Sequence, residues 1–267
     1  MSRRDLSAGP LIAAAALIFC FLAAPVAGLA LNLSPRDIAA TFSSPATEGA
    51  VVTSLVTATV STVLAGILGI PLAFALARFA FPAKPIVAAL VYLPLVLPPV
   101  SAGILLLILY GPYGLVGGVL SPHGILLVDT DAGIVLAQVF VSAPYVIVAA
   151  RSAFESIERE YEEAATSMGA GIWAVFRHIS LPMARGGIAA GLILGWMRCL
   201  GEFGATVILA YHPYSLPVLN FVNLNSTGLT TALPLALLAL LLGLAVLIVL
   251  FVLDALDLRI AAGRTPS

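Results

Sequence analysis

Glu160-Tyr161-Glu162-Glu163-Ala164-Ala165-Thr166-Ser167-Met168-Gly169 leads through a polar, basic run to Arg177-His178-Ile179-Ser180-Leu181-Pro182. A long apolar run then reaches Arg198-Cys199-Leu200-Gly201-Glu202-Phe203-Gly204-Ala205-Thr206. No other stretch of the chain is as long and as rich in charge, and it lies between two membrane-length segments. A chain with so little other polar surface meets water and its partners here. Of 267 residues, 61% are hydrophobic and 9% charged, whereas soluble domains carry about 25% charged residues. Continuous apolar runs of about 20 residues specify helices that cross hydrocarbon. An outer-membrane barrel would instead alternate polar and apolar residues over about 10-residue segments.

Outward from that stretch, apolar segments are read at roughly 11–31, 51–77, 86–110, 133–150, 187–210 and 232–253. Each is near the length that crosses about 30 Å of hydrocarbon at 1.5 Å per residue. The expected fold is all-α and integral to the membrane, with about six transmembrane helices. The second segment is longer than needed and tilts or extends beyond the bilayer. The first has two readings. Arg3 and Arg4 before it, and Pro25-Val26-Ala27-Gly28 within it, fit a cleaved signal peptide; the run onward through Leu29-Ala30-Leu31 favours a retained span.

The positive-inside bias sets the orientation. With a cytosolic N-terminus, the inner loops and tails hold ten cations, Arg3 to Arg264, and the outer loops hold only Arg36. Both termini are therefore expected in the cytosol. The outer loops, at about 32–50, 111–132 and 211–231, are rich in turn-forming residues. Asp129 and Asp131 in the second of these are read as solvated loop acids rather than a cation site.

Leu93-Pro94-Leu95-Val96-Leu97-Pro98-Pro99 should break or kink the third span, because proline removes a backbone donor and clashes with the preceding turn. The break either lines a pathway or is a plain kink accommodated by neighbours. Pro71 and Pro144 allow the same two readings, with the plain kink favoured. Ala65-Gly66-Ile67-Leu68-Gly69 and Gly186-Gly187-Ile188-Ala189-Ala190-Gly191 permit close helix approach.

In the central stretch, helix is expected from Glu155 to Met168, on the spacing of Glu158 with Glu162 and of Arg159 with Glu163. Gly169 ends it, 170–177 forms a second short piece, and Pro182 opens the fifth span. The element is too polar for lipid. It reads as a docking element for a cytosolic partner or as a solvated connecting helix. Arg198 and Glu202, four residues apart in the fifth span, can pair on one helix face. Charges at the bilayer centre cost at least about 2.5–3.5 kcal/mol and commonly carry function. They line or gate a path, or they form a structural pair. Gly201 and Gly204 beside Glu202 allow flexing or close backbone approach. Thr53, Thr57, Thr59 and Ser61 are candidate donors to a path, or else helix–helix hydrogen bonds.

Glu163-Ala164-Ala165, three residues, Gly169, nine residues, Ile179, one residue and Leu181-Pro182 resemble the "EAA" signature of ABC importer permeases. The resemblance covers about 51–255 and implies a type I permease fold with a cytosolic coupling helix. It implies three parts: an N-terminal helix and external loop at 1–50, the permease domain at 51–255, and a cytosolic tail at 256–267. It also implies that Glu163, Ala164, Ala165, Gly169, Ile179, Leu181 and Pro182 form the loop that couples to an ATP-binding subunit. The machine so implied has two ATP-binding subunits, which use ATP and Mg, and two permease chains, as a homodimer first and a heterodimer second. A secreted or periplasmic substrate-binding protein completes it in a bacterial or archaeal cytoplasmic membrane. Tyr92–Gly103 and Arg198–Thr206 resemble permeases for molybdate and related oxyanions. Tyr211-His212-Pro213-Tyr214-Ser215-Leu216-Pro217 departs from the Gly-Asn-Ile-Pro-Gly-like turn of that group, which bears on the identity of the cargo. The expected gate comprises Arg198, Glu202, Gly201, Gly204, Pro98 and Pro99.

No Gly-x-x-x-x-Gly-Lys-Ser/Thr loop is present, and Lys84 is the sole lysine, so the phosphate-binding route to ATP hydrolysis is missing. His123, His178 and His212 fall in separate loops, and Cys20 and Cys199 lie far apart. No metal site, cofactor bound by this chain or enzymatic role is expected. The readings that compete with a molybdate permease are the same machinery for sulfate, tungstate, thiamine, iron or phosphate, and, from another class, a stand-alone secondary transporter. The last would call for inverted repeats and a midplane ionisable site. No internal repeat is found.

Overall fold

In hydrocarbon every backbone amide must be satisfied within the chain, so long apolar runs become helices. The computed structural model describes residues 3–262, and among these it contains helices and turns and no strand. In order they are α1 (Arg3–Leu31), α2 (Pro35–Phe42), α3 (Pro45–Arg78), α4 (Lys84–Val96), α5 (Pro99–Tyr110), α6 (Gly117–Leu120), a 3-10 turn (Ser121–His123) and α7 (Asp131–Glu155). Then follow α8 (Arg159–Ser167), α9 (Ile172–Val175), a π-helical turn (Phe176–Ser180), α10 (Leu181–Met183), α11 (Arg185–Leu200), α12 (Thr206–Leu209), α13 (Leu216–Ser226) and α14 (Leu229–Ala262). Of the expected tail at 256–267, Arg264 and its neighbours lie outside the described residues.

The chain forms two compact units. One runs from Gly49 to Leu219; the other comprises the chain up to Glu48 and from Asn220 onward. Within the second, α2 packs on α14. Within the first, α7 and α11 pack closely along their length. Gly187, Gly191 and Gly195 make that pairing possible. A Cβ on each would approach Ala153 Cβ, Ala149 Cβ and Val146 Cγ2 to 2.5, 2.8 and 2.9 Å. Small residues at four-residue spacing thus bring the two backbones together, as in membrane helix packing generally. Two apolar cores flank this pair. One gathers Phe74, Leu76, Ile147, Phe154, Phe176 and Ile188; the other gathers Ala102, Leu106, Val141, Ala205 and Leu209.

The spans depart from the expected pattern at identifiable points. Among the described residues, four continuous helices have span length and apolarity: Pro10–Leu31, Pro45–Arg78, Asp131–Glu155 and Leu229–Val246. The third expected span is two helices, because Leu97 and Pro98 are extended, with ψ of 133° and 134°. Neither α4 nor α5 reaches the roughly 30 Å of hydrocarbon alone. Pro71 and Pro144 lie inside unbroken helices. The fifth expected span, 187–210, is not one helix. It begins after a 76° bend between Ile172–Met183 and Arg185–Leu200, and it stops at Leu200. Pro182 sits in the first turn of α10, so the span itself starts at Arg185 beyond the bend. The outer loops read as turns at 32–50 and 211–231 contain α2 and α13. The helix expected from Glu155 to Met168 is interrupted between Glu155 and Arg159.

Candidate functional site

The loop between α7 and α11 is shaped first by its glycine. Gly169 has φ +91°, a left-handed conformation that glycine adopts without a Cβ penalty. Its N–H donates to Thr166 O at 2.9 Å, and the Ala170 N–H donates to Ala165 O at 3.0 Å. These two bonds are the pair that closes a Schellman helix end. The turn exposes an apolar knob: Met168, Ile172 and Trp173 are 83%, 66% and 67% exposed. Glu163 and Ala164 are exposed beside it, while Ala165 is buried.

The adjacent carboxylate, Glu162, faces the other way. Its carboxylate pairs with Arg78 Nε at the end of α3, at 2.7 Å from Oε2 and 3.0 Å from Oε1. The Ser180 hydroxyl donates to Oε1 at 2.7 Å, and Arg78 Nη2 donates to Ile157 O at 3.1 Å. Both charged side chains are nearly buried, 8% and 12% exposed. An open cavity of about 200 Å³ lies between them and Arg159, Glu163 and Ile172. Underneath, the Phe74 ring lies 5.3 Å from Phe154 and 4.9 Å from Phe176, joining α3, α7 and the π-helical turn. Ile179 and Leu181 are half-buried, and Pro182 is exposed.

A second cluster forms where the two broken spans meet. Glu202, 1% exposed, accepts the Ala205 N–H at 2.7 Å and pairs with Arg198 Nη2 at 2.5 Å. The carboxylate therefore stabilises the turn after α11 as well as the cation. Arg198 lines a cavity of about 140 Å³ with Pro94, Leu97, Pro99, Val141 and Tyr145. It is the only charged side chain on that lining. Gly204 rests on Pro99: a Cβ there would lie 2.4 Å from Pro99 Cβ. Pro98 and Pro99, Gly204, Arg198 and Glu202 thus share one region. Gly201 caps the end of α11 and is exposed.

Of the candidate donors in α3, the hydroxyls of Thr57, Thr59 and Ser61 are engaged within the chain. Thr57 donates to Thr53 O, Ser61 donates to Gln138 Oε1 at 2.9 Å, and Thr59 accepts from Trp196 Nε1. Gln138 donates in turn to Cys199 O at 3.1 Å. Asp129 has a structural task the sequence reading missed. At φ +53°, its Oδ1 accepts the N–H groups of Tyr211 and His212 at 2.8 and 3.3 Å. It thereby fastens the atypical Tyr211–Pro217 segment, where the His212 and Tyr214 rings stack at 4.1 Å. Among the described residues no cluster of His, Cys, Asp or Glu could hold a metal ion.

The profile described as "Binding-protein-dependent transport system inner membrane component" matches residues 65–262. A "Probable molybdenum ABC transporter permease protein" of Haloferax volcanii is 42% identical, over 85% of this chain and 82% of that protein. The molybdate/tungstate transport system permease protein WtpB of Thermococcus kodakarensis is 36% identical, over 88% of this chain and 91% of that protein. A chain in the crystal structure of a bacterial alginate ABC transporter, in complex with alginate pentasaccharide-bound periplasmic protein, has the same fold. The TM-score is 0.77 at 20% identity, covering 97% of this chain and 96% of that one.

Proposed function

This chain belongs to the family of binding-protein-dependent transport system inner membrane components, and we propose that it forms the translocation path of an ATP-driven oxyanion importer whose cargo is molybdate. The observation that carries the reading is the knob at Gly169. An apolar tip on a charged loop, largely exposed and braced from behind, suits insertion into a groove of a motor subunit. Glu163, Ala164, Ala165, Gly169, Ile179, Leu181 and Pro182 form that coupling loop. The motor is a separate polypeptide that uses ATP and Mg, present in two copies. One loop per chain supports a pair of identical permease chains. The bias of cations toward one side supports cytosolic termini in a cytoplasmic membrane. A secreted or periplasmic binding protein supplies affinity for the anion, which leaves the permease a sparse, low-affinity path. Arg198, Glu202, Gly201, Gly204, Pro98 and Pro99 gate it. The segments 1–50, 51–255 and 256–267 serve as anchor and external loop, permease domain and cytosolic tail.

The names of the two relatives support molybdate and tungstate as the cargo class. The atypical segment fastened by Asp129 bears on selectivity within that class, since it replaces the turn expected of oxyanion permeases. Uptake of labelled molybdate into proteoliposomes holding the whole transporter and its binding protein tests the assignment. Excess unlabelled molybdate or tungstate is expected to suppress the signal, and equal sulfate to suppress it far less. Suppression by sulfate at lower concentrations than unlabelled molybdate requires would reassign the cargo to sulfate.

A further inference from the structure

We propose that Arg78, Glu162 and Ser180 form the strut that carries displacement of the coupling loop to α3. The inference rests on the coupling reading of that loop and adds the route by which its motion leaves it. Neighbouring carboxylates on α8 have opposite surroundings: Glu163 is exposed, whereas Glu162 is turned inward onto Arg78. The Arg78–Glu162 contact joins residues 84 positions apart and the Ser180 contact joins residues 18 apart. Three elements therefore meet at one carboxylate: the last turn of α3, α8, and the π-helical turn that leads into α10. The guanidinium reaches a fourth point, Ile157 O, in the segment between α7 and α8.

Such a node resists deformation for a physical reason. A nearly buried carboxylate that accepts a guanidinium and a hydroxyl at once has few alternative partners, and leaving either charge unpaired there is costly. Arg78 is also the last residue of a 34-residue helix, so a push on α8 acts at the end of a long rigid lever. The aromatic contacts of Phe74 with Phe154 and Phe176 back the same joint with packing alone. They hold position, but they have no directional bond to the loop. The ion pair supplies it. Arg78 and Glu162 are thus positioning residues that act through the loop on the path.

The test uses the complete transporter with its ATP-binding subunits and binding protein in proteoliposomes. Four variants are compared with native protein: R78E, E162R, the R78E/E162R exchange and the milder E162Q, which keeps the side-chain shape. The readouts are recovery of the intact complex and molybdate transported per ATP hydrolysed. R78E and E162R are expected to purify with the motor, to hydrolyse ATP, and to transport about tenfold less solute per ATP, in the range of measured couplings between sites. E162Q is expected to show a smaller loss of the same kind. The R78E/E162R exchange should recover part of the ratio, which a generic packing defect would not do. A native ratio in E162Q together with either charge reversal overturns the strut. So does loss of the motor from every variant, since the residues would then only shape the docking surface. A Gly169→Val control separates the two levels. If it uncouples while the strut variants do not, only the strut fails; if none uncouples, the coupling reading fails with it.

Discussion

Gly169→Val is expected to cut ATP-dependent uptake about 5- to 30-fold, while Gly169→Asn keeps most of it. Room is not the reason, because a Cβ at Gly169 would meet nothing within 4 Å. The reason is φ +91°. A left-handed conformation costs an ordinary L-residue roughly 1–2 kcal/mol, more tolerable for asparagine than for a β-branched side chain. One or two kcal/mol is a factor of about 5–30 in a two-state population. Valine therefore depletes the state in which the turn closes α8 and presents Met168, Ile172 and Trp173 together. Fluorescence of Trp173 and uptake in the assembled transporter would be measured side by side. Equal uptake by both variants and native protein would separate the turn from coupling.

The end of α8 is legible in the sequence because local chemistry fixes it. Glycine after a helical run of alanines and charges has few other roles, and Pro98 likewise announces the break in the third span. What lies behind the loop is not legible. Spacing pairs Glu162 with Glu158 on one helix face, whereas its real partner, Arg78, is 84 residues away and becomes visible only when α3 and α8 are packed. The stop of α11 at Leu200 is hidden for a different reason. Apart from Glu202 and Thr206, the residues on to Ala210 are apolar or glycine, so hydropathy continues across a turn that the buried Glu202 carboxylate holds. Helices α2 and α13 are masked by Pro, Ser and Asn, which serve equally in turns and near helix ends. Asp129 resembles any loop acid until the Tyr211 and His212 amides are found on it.

Removing Arg198 is expected to destabilise the protein by about 3–5 kcal/mol, because Glu202, 1% exposed, is left buried without its partner. Glu202→Leu also costs stability, since it deprives the Ala205 N–H of its acceptor and leaves Arg198, 25% exposed, without its partner. The Arg198→Met/Glu202→Leu double variant should regain much of that stability, as apolar replacements of buried pairs commonly do. Transport distinguishes the roles. If the pair gates the path beside Pro99 and Gly204, the double variant stays folded and loses uptake. If the pair only locks helices, uptake returns together with stability. Thermal unfolding in detergent and molybdate uptake, measured on the same preparations, separate these results. The account expects a stable double variant with impaired uptake. Full recovery of both would remove Arg198 and Glu202 from the gate.

The most direct measurement is molybdate uptake by the purified permease in proteoliposomes, alone and then with its ATP-binding subunit, binding protein and Mg-ATP. The account predicts no accumulation by the permease alone, and accumulation against a gradient once every component and ATP are present. Accumulation by the lone permease driven by an ion gradient, indifferent to ATP and to the motor subunit, would contradict it.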